Sequence, residues 1–361
     1  MARYGLGAAR ANHGDSAHAR SSRGTGWLKR CVPNTFRRCS GSPSGLAASL
    51  FAIGLLLLVT FGSHAETCDY VAQGPDTTKS LPEPKDPASR ERERQALMEF
   101  YDALGGPDWI ERDFWGSNRP VGQWHGVTTD ADGFVVTLTI YDNNVTGPLS
   151  PAICKLQRLQ TLHLSFNKLS DQLPNGLGEC RALKNLWLKG NKLTGRLPDS
   201  IAVLPELEYL DVHANDLSGP LPTTWDTPKL KIFRADDNRI SGNLPPQLFR
   251  QPLLEEMFLH NNELTGTIPT ALSANLRALL LSNNKLSGPI PEEFGTLKKL
   301  TDLRLNRNQI SGSIPASLAG AVALQVLRVD NNRLVGPIPS GLGKRLMVFD
   351  ASHNPGLEPT R

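Results

Sequence analysis

Apolar residues return along this chain at fixed offsets. Leu183, Leu186, Leu188 and Leu193 in one segment correspond to Leu276, Leu279, Leu281 and Leu286 in another. An asparagine sits at the same place in each unit, at Asn143, Asn167, Asn191, Asn215, Asn238, Asn262, Asn284, Asn308, Asn332 and Asn354, with spacings of 24, 24, 24, 23, 24, 22, 24, 24 and 22. Ten units at one period predict a solenoid, because a unit too short to bury its own apolar side is completed by its neighbours. The short L-x-L core of each unit alternates between apolar and variable positions, which is the period of a strand with one buried face. Strands stacked about 4.8 Å apart would pair with one another and align their leucines into a continuous column. The asparagine is placed to turn the chain, its amide satisfying interior backbone groups that a tight corner leaves unpaired.

The residues just after the asparagine are more specific. The chain reads LTGRLP at 193–198, LSGPIP at 286–291 and ISGSIP at 310–315, with glycine permitting a bend and the Ile/Leu-Pro pair closing it. This pattern resembles the plant-type leucine-rich repeat over roughly 135–357, as found in polygalacturonase-inhibiting proteins and the ectodomains of plant receptor-like kinases. The resemblance implies an α/β repeat solenoid, a right-handed arc of 22–24-residue repeats. A parallel β-sheet would line its concave face, with a second short sheet beside it. It also implies recognition of a protein, peptide or glycan.

Residues 91–134 are similar to the N-terminal cap of such proteins. Leu97, Phe100, Tyr101 and Leu104 have helical spacing, Gly105-Gly106 ends that helix, and Trp109, Trp115 and Trp124 supply bulk to plug the first coil. The segment WHGVTTDADGFVV reads as a hairpin turning at Asp132-Gly133. Land-plant caps usually carry paired cysteines, and this one has none, which points to a bacterial or algal version. Beyond Asn354 only PGLEPTR remains, so an apolar end is expected to need a cover supplied by a longer protein or a partner.

Charge separates the leader from the body. The first 65 residues hold eight Lys/Arg against Asp15 alone, leaving 31 basic and 34 acidic residues beyond, so the body is not basic and nucleic acid is not expected as a partner. A basic leader at 1–45 precedes an apolar run at 46–62, and Ser63-His64-Ala65 suits cleavage by a signal peptidase. Residues 46–65 therefore read as a signal peptide or as a single-pass membrane anchor, and either one exports the remainder. Residues 66–90, rich in proline and charge, read as a linker ahead of the cap at 91–134 and the repeats at 135–361. Of the cysteines, Cys180 occupies a position where other repeats bury leucine and reads as a small core residue. Cys154 lies two positions earlier in its own repeat, and a bridge between the two is expected to need strained geometry.

Candidate chemistry lies in columns of variable strand positions that face solvent, since rigid scaffolds gather binding residues on such faces. Four residues before each asparagine stand Trp187, Arg234, Phe258, Leu280, Arg304 and Arg328, and two before stand His213, Asp236 and His260. Trp187, Phe258 and Leu280 are large apolar groups turned toward water, the kind of anchor that binding hot spots use. Arg304, Arg307 and Arg328 would suit an acidic partner unless Asp302 and Asp330 neutralise them. His213, Asp236 and His260 would place a carboxylate between two imidazoles and make binding depend on pH. The outer histidines, about 10 Å apart, are too far from each other to share an ion, so no metal is assigned. Asn144-Val145-Thr146 is a glycosylation sequon if the source is eukaryotic. Phosphate-cradling loops, nucleophile elbows and metal-ligand clusters do not appear, so neither a cofactor nor catalysis is expected.

Overall fold

The computed structural model describes residues 87–358. The leader, the apolar run at 46–62, most of the linker and Cys31, Cys39 and Cys68 lie outside the described residues.

A helix opens the structure at Pro87 and runs to Ala103, so it begins four residues inside the stretch assigned to the linker. Apolar content understates this segment, because arginine side chains of the helix lie over aromatic rings of the cap. Arg90 lies 5.7 Å from the Phe134 ring and Arg94 lies 5.1 Å from the Trp124 ring. Inside the cap Trp109, Trp115 and Trp124 are buried and touch in series, with ring centroids 5.1 Å apart at both steps. Val127–Thr129 and Val135–Thr139 form the antiparallel hairpin, and Glu93 is buried against it, accepting from the Val135 amide at 2.8 Å. Burial raises that carboxyl above its ordinary range, partly countered by the Val135 hydrogen bond.

From the hairpin onward the strands run parallel in chain order through an 11-stranded sheet that ends at Val348–Asp350. Most of its strands are three residues long with the middle residue buried, as in Thr161–His163, Asn185–Trp187 and Asp302–Arg304. Leu162, Leu186, Leu210, Leu279, Leu303 and Leu327 therefore form one buried column, each contributing on the order of 2 kcal/mol relative to an exposed side chain. The second sheet is broken into three short ones, built from strands such as Ser218–Pro220, Gln309–Gly312 and Thr146–Pro148.

The asparagine ladder works by reciprocal satisfaction. Asn215 Oδ1 accepts from the Leu193 amide of the preceding coil at 3.0 Å, while its Nδ2 donates to the Leu188 and Val212 carbonyls, both at 3.0 Å. The left-handed residue at each corner is the one before the asparagine. Asp237, Asn261 and Asn283 adopt φ of 53°, 55° and 60°, a conformation that short polar side chains tolerate. Phe166, at φ 57°, holds the same conformation with a bulky ring.

Cys154 and Cys180 are joined in a disulfide, contrary to the expectation of an unfavourable stagger. Cys154 lies in a tight helical turn over Pro151–Lys155 and Cys180 comes directly after the equivalent turn over Asn175–Glu179, bringing their Cα atoms to 4.6 Å. A two-residue stagger is prohibitive between strands. On these helical turns, which are not tied into a strand ladder, the local winding absorbs it.

Candidate ligand-binding face

The exposed side of the main sheet changes character along its length. In its first half, rings from successive coils meet tilted or edge to face. Tyr141 lies 5.3 Å from His163, His163 lies 5.0 Å from Trp187, and Trp187 lies 5.5 Å from Tyr209. Phe166 adds a fifth ring 5.4 Å from Tyr141, and Lys189 Nζ sits 4.9 Å from its centroid. Tyr141 is 50% exposed and Phe166 43%, large apolar exposures for one contiguous patch. Gly190, the next corner residue, makes room for this ring, since a Cβ there would lie 2.8 Å from a Phe166 ring carbon. Burial and the Lys189 charge push His163 down to about 4, so its ring is neutral at ordinary pH.

The repeat pattern places His163 and Trp187 in the column four before the asparagine, and Tyr209 and Phe166 lie outside it. Tyr209 stands six residues before its asparagine, in a third outward column formed by the first residue of each three-residue strand. Strand alternation predicts this column as surely as the one four before. The column two before is less open than expected, and Ser165, Asp236, Asn306 and Asp330 are buried.

Beyond Tyr209 the face becomes polar. Arg234 lies over the Phe258 ring at 4.5 Å and 3.7 Å from Glu256, and Leu280 is half-buried in the next strand. His213 Nδ1 lies 2.7 Å from Asp211 Oδ1. Burial pulls the His213 pKa down, but the Asp211 hydrogen bond and charge outweigh it and leave the group above its ordinary value. His260 Nε2 lies 3.4 Å from Asp236 Oδ2, and burial holds the Asp236 carboxyl above the usual range despite the charges of both histidines.

The three arginines expected to meet an acidic partner are not equally free. Arg304 forks onto Asp302 at 3.0 and 2.8 Å, and Arg328 lies 3.3 Å from both Asp330 and Asp350. Arg307 is exposed at a left-handed corner, φ 56°, and its guanidinium makes no ion pair among the described residues. At the sequon, Asn144 Nδ2 donates to the Asp108 carbonyl at 2.9 Å, which engages one of its two N–H groups.

Residues 157–217 and 274–334 match the leucine rich repeat family model, and 253–274 match a second leucine-rich-repeat model. Among solved structures, a plant peptide hormone receptor, RGFR1 in complex with RGF2, is 32% identical with a TM-score of 0.56 over 58% of this chain and 34% of its own. A plant ice-binding protein is 28% identical with a TM-score of 0.58 over 75% of this chain and 96% of its own. The Arabidopsis receptor kinase HAESA ectodomain, in complex with a peptide hormone ligand, is 27% identical with a TM-score of 0.55 over 71% of this chain and 48% of its own. The chain thus spans between about a third and a half of the two receptor chains it matches. It is an α/β solenoid of leucine-rich repeats. Those repeats are of the plant type.

Proposed function

We propose that this protein is an exported, non-catalytic recognition module that holds a peptide or protein segment across the first half of its concave sheet face. The observation that carries this reading is the unbroken strip of rings from Tyr141 through His163 and Trp187 to Tyr209. Rigid aromatic side chains offer large contact area at little entropic cost, which makes them the favoured anchors of interfaces. Phe166 supports a binding role, since its ring stands 43% exposed beside Tyr141 and enlarges the apolar patch. Peptide recognition is favoured over glycan because two similar structures are a peptide hormone receptor and an ectodomain holding a peptide hormone. Panning a displayed random-peptide library against the full-length protein tests this. Enriched peptides should lose binding to Trp187→Ala and to Tyr141→Ala. Enrichment that ignores both substitutions, or binding that appears only on a glycan array, contradicts it.

A second reading is ice binding, favoured by the breadth of the match to the plant ice-binding protein. An exposed ladder in which Asn261 donates to Asp237 at 2.6 Å and Asn283 donates to Asn261 at 2.7 Å offers a short repeated polar array. Ice-recrystallisation inhibition that Asn261→Leu abolishes and Trp187→Ala leaves intact would select this reading over the first.

A further inference from the structure

Between the aromatic and charged stretches of the face lie three side chains that neither peptide recognition nor ice binding employs together. Asp236 and Asp237 leave one coil and His260 leaves the next, and one donor atom from each lies within 4.8 Å of the other two. We propose that Asp236, Asp237 and His260 bind a divalent transition-metal ion, with zinc the best match to their donor set. The ion would take one imidazole nitrogen and two carboxylate oxygens, leaving an open position toward solvent.

Geometry supports the pairing of the first two donors. Asp236 Oδ2 and His260 Nε2 are 3.4 Å apart, which is roughly the edge of a tetrahedron whose metal–ligand bonds are about 2.1 Å. An ion could bridge them with little rearrangement. Asp237 is exposed at the corner, with a carboxylate oxygen within 4.8 Å of the other two donors. Asn261 donates to Asp237 Oδ1 at 2.6 Å, the kind of outer hydrogen bond that orients a ligating carboxylate.

Unmet hydrogen-bonding capacity at the same place is independent support. The Asp236 side chain is only 10% exposed, yet its Oδ1, on the same carboxylate as the oxygen that faces His260, has no hydrogen-bond partner. A buried polar atom without a partner costs roughly 1–3 kcal/mol, so one at the wall of a donor cluster points to a missing occupant. His213, by contrast, has its Nδ1 engaged by Asp211 at 2.7 Å and contributes no donor to the cluster. The spacing that keeps His213 and His260 from sharing an ion does not apply here, because the set that converges joins His260 to two adjacent carboxylates. Burial disfavours the Asp236 carboxylate anion, and a bound cation would relieve that penalty.

Calorimetric titration of the chelator-stripped full-length protein with zinc chloride, repeated with cobalt(II) by absorbance, tests the site. The expected result is saturable binding of one ion per chain. His260→Ala and Asp236→Asn should each weaken it at least about 10-fold, with circular dichroism unchanged, while His213→Ala should leave it intact. Because His260 is partly exposed, its variant keeps the test decisive should Asp236→Asn fail to fold. Absence of saturable binding, equal affinity in all variants, or an equal loss in His213→Ala would each overturn the proposal.

Discussion

The two halves of the sheet face are built on the same coil and made into different surfaces. In the first half, from Tyr141 to Tyr209, the outward positions carry rings that touch one another and stay partly exposed. In the second, from Asp302 to Asp350, they carry charges that pair with one another, as Arg304 does with Asp302 and Arg328 with Asp330 and Asp350. Edge-to-face packing leaves ring area available for a partner, whereas a satisfied ion pair must be broken or desolvated before it can serve one. On these grounds affinity belongs to the first half and solubility, with at most modest steering, to the second.

The largest expected effect concerns the scaffold beneath the aromatic half. The Cys154–Cys180 bridge closes a 26-residue separation there, and no other bridge is present among the described residues. Replacing both cysteines with serine should cost about 3 kcal/mol in denaturant unfolding. Hydrogen exchange should accelerate around Thr161–Trp187 more than around Asp302–Arg328. Equal acceleration everywhere would show that the halves are mechanically one unit.

A smaller effect is expected on affinity. Trp187→Ala should weaken a selected peptide by about 2 kcal/mol, close to 30-fold, as truncation of a central aromatic anchor does. Arg304→Ala and Arg328→Ala should each change affinity by less than about 1 kcal/mol, because both side chains are largely engaged within the protein. The reverse ranking in surface plasmon resonance would move recognition to the charged half.

Protonation separates two imidazoles of the face, and near neutral pH it has the smallest effect. His163 has a pKa of about 4, below its unfolded value, so its contribution to stability is full above the unfolded pKa and is lost as pH falls from there toward 4. His213 is shifted upward by Asp211, so its contribution is full below the unfolded pKa and is lost as pH rises through the folded one. Nuclear magnetic resonance titration should show the two groups displaced in opposite directions from 6.5. Matching titration curves would contradict both placements.

Much of this architecture is legible in the sequence because repetition imposes it. Leu186, Leu279 and Leu303 have to be buried once their spacing is seen, and Asn215 has to serve backbone groups once its period matches theirs. The site is less legible. Trp187 stands out as a tryptophan at an outward position, but Phe166 occupies a corner where the backbone conformation normally selects asparagine, aspartate or glycine, so the pattern marks it as a turn residue. Asp237 is hidden for the same reason, since aspartate is ordinary at such a corner. The disulfide escapes a count of offsets along strands, because it forms between turns whose winding sequence spacing does not record.

Whether ligand lies on the aromatic half of the face is decided by hydrogen exchange of the full-length protein with and without a selected peptide. Added protection is expected in Thr161–His163, Asn185–Trp187 and Tyr209–Asp211, with little change in Asp302–Arg304 and Val326–Arg328. Protection confined to the latter two strands, or to neither half, would contradict recognition by the aromatic strip.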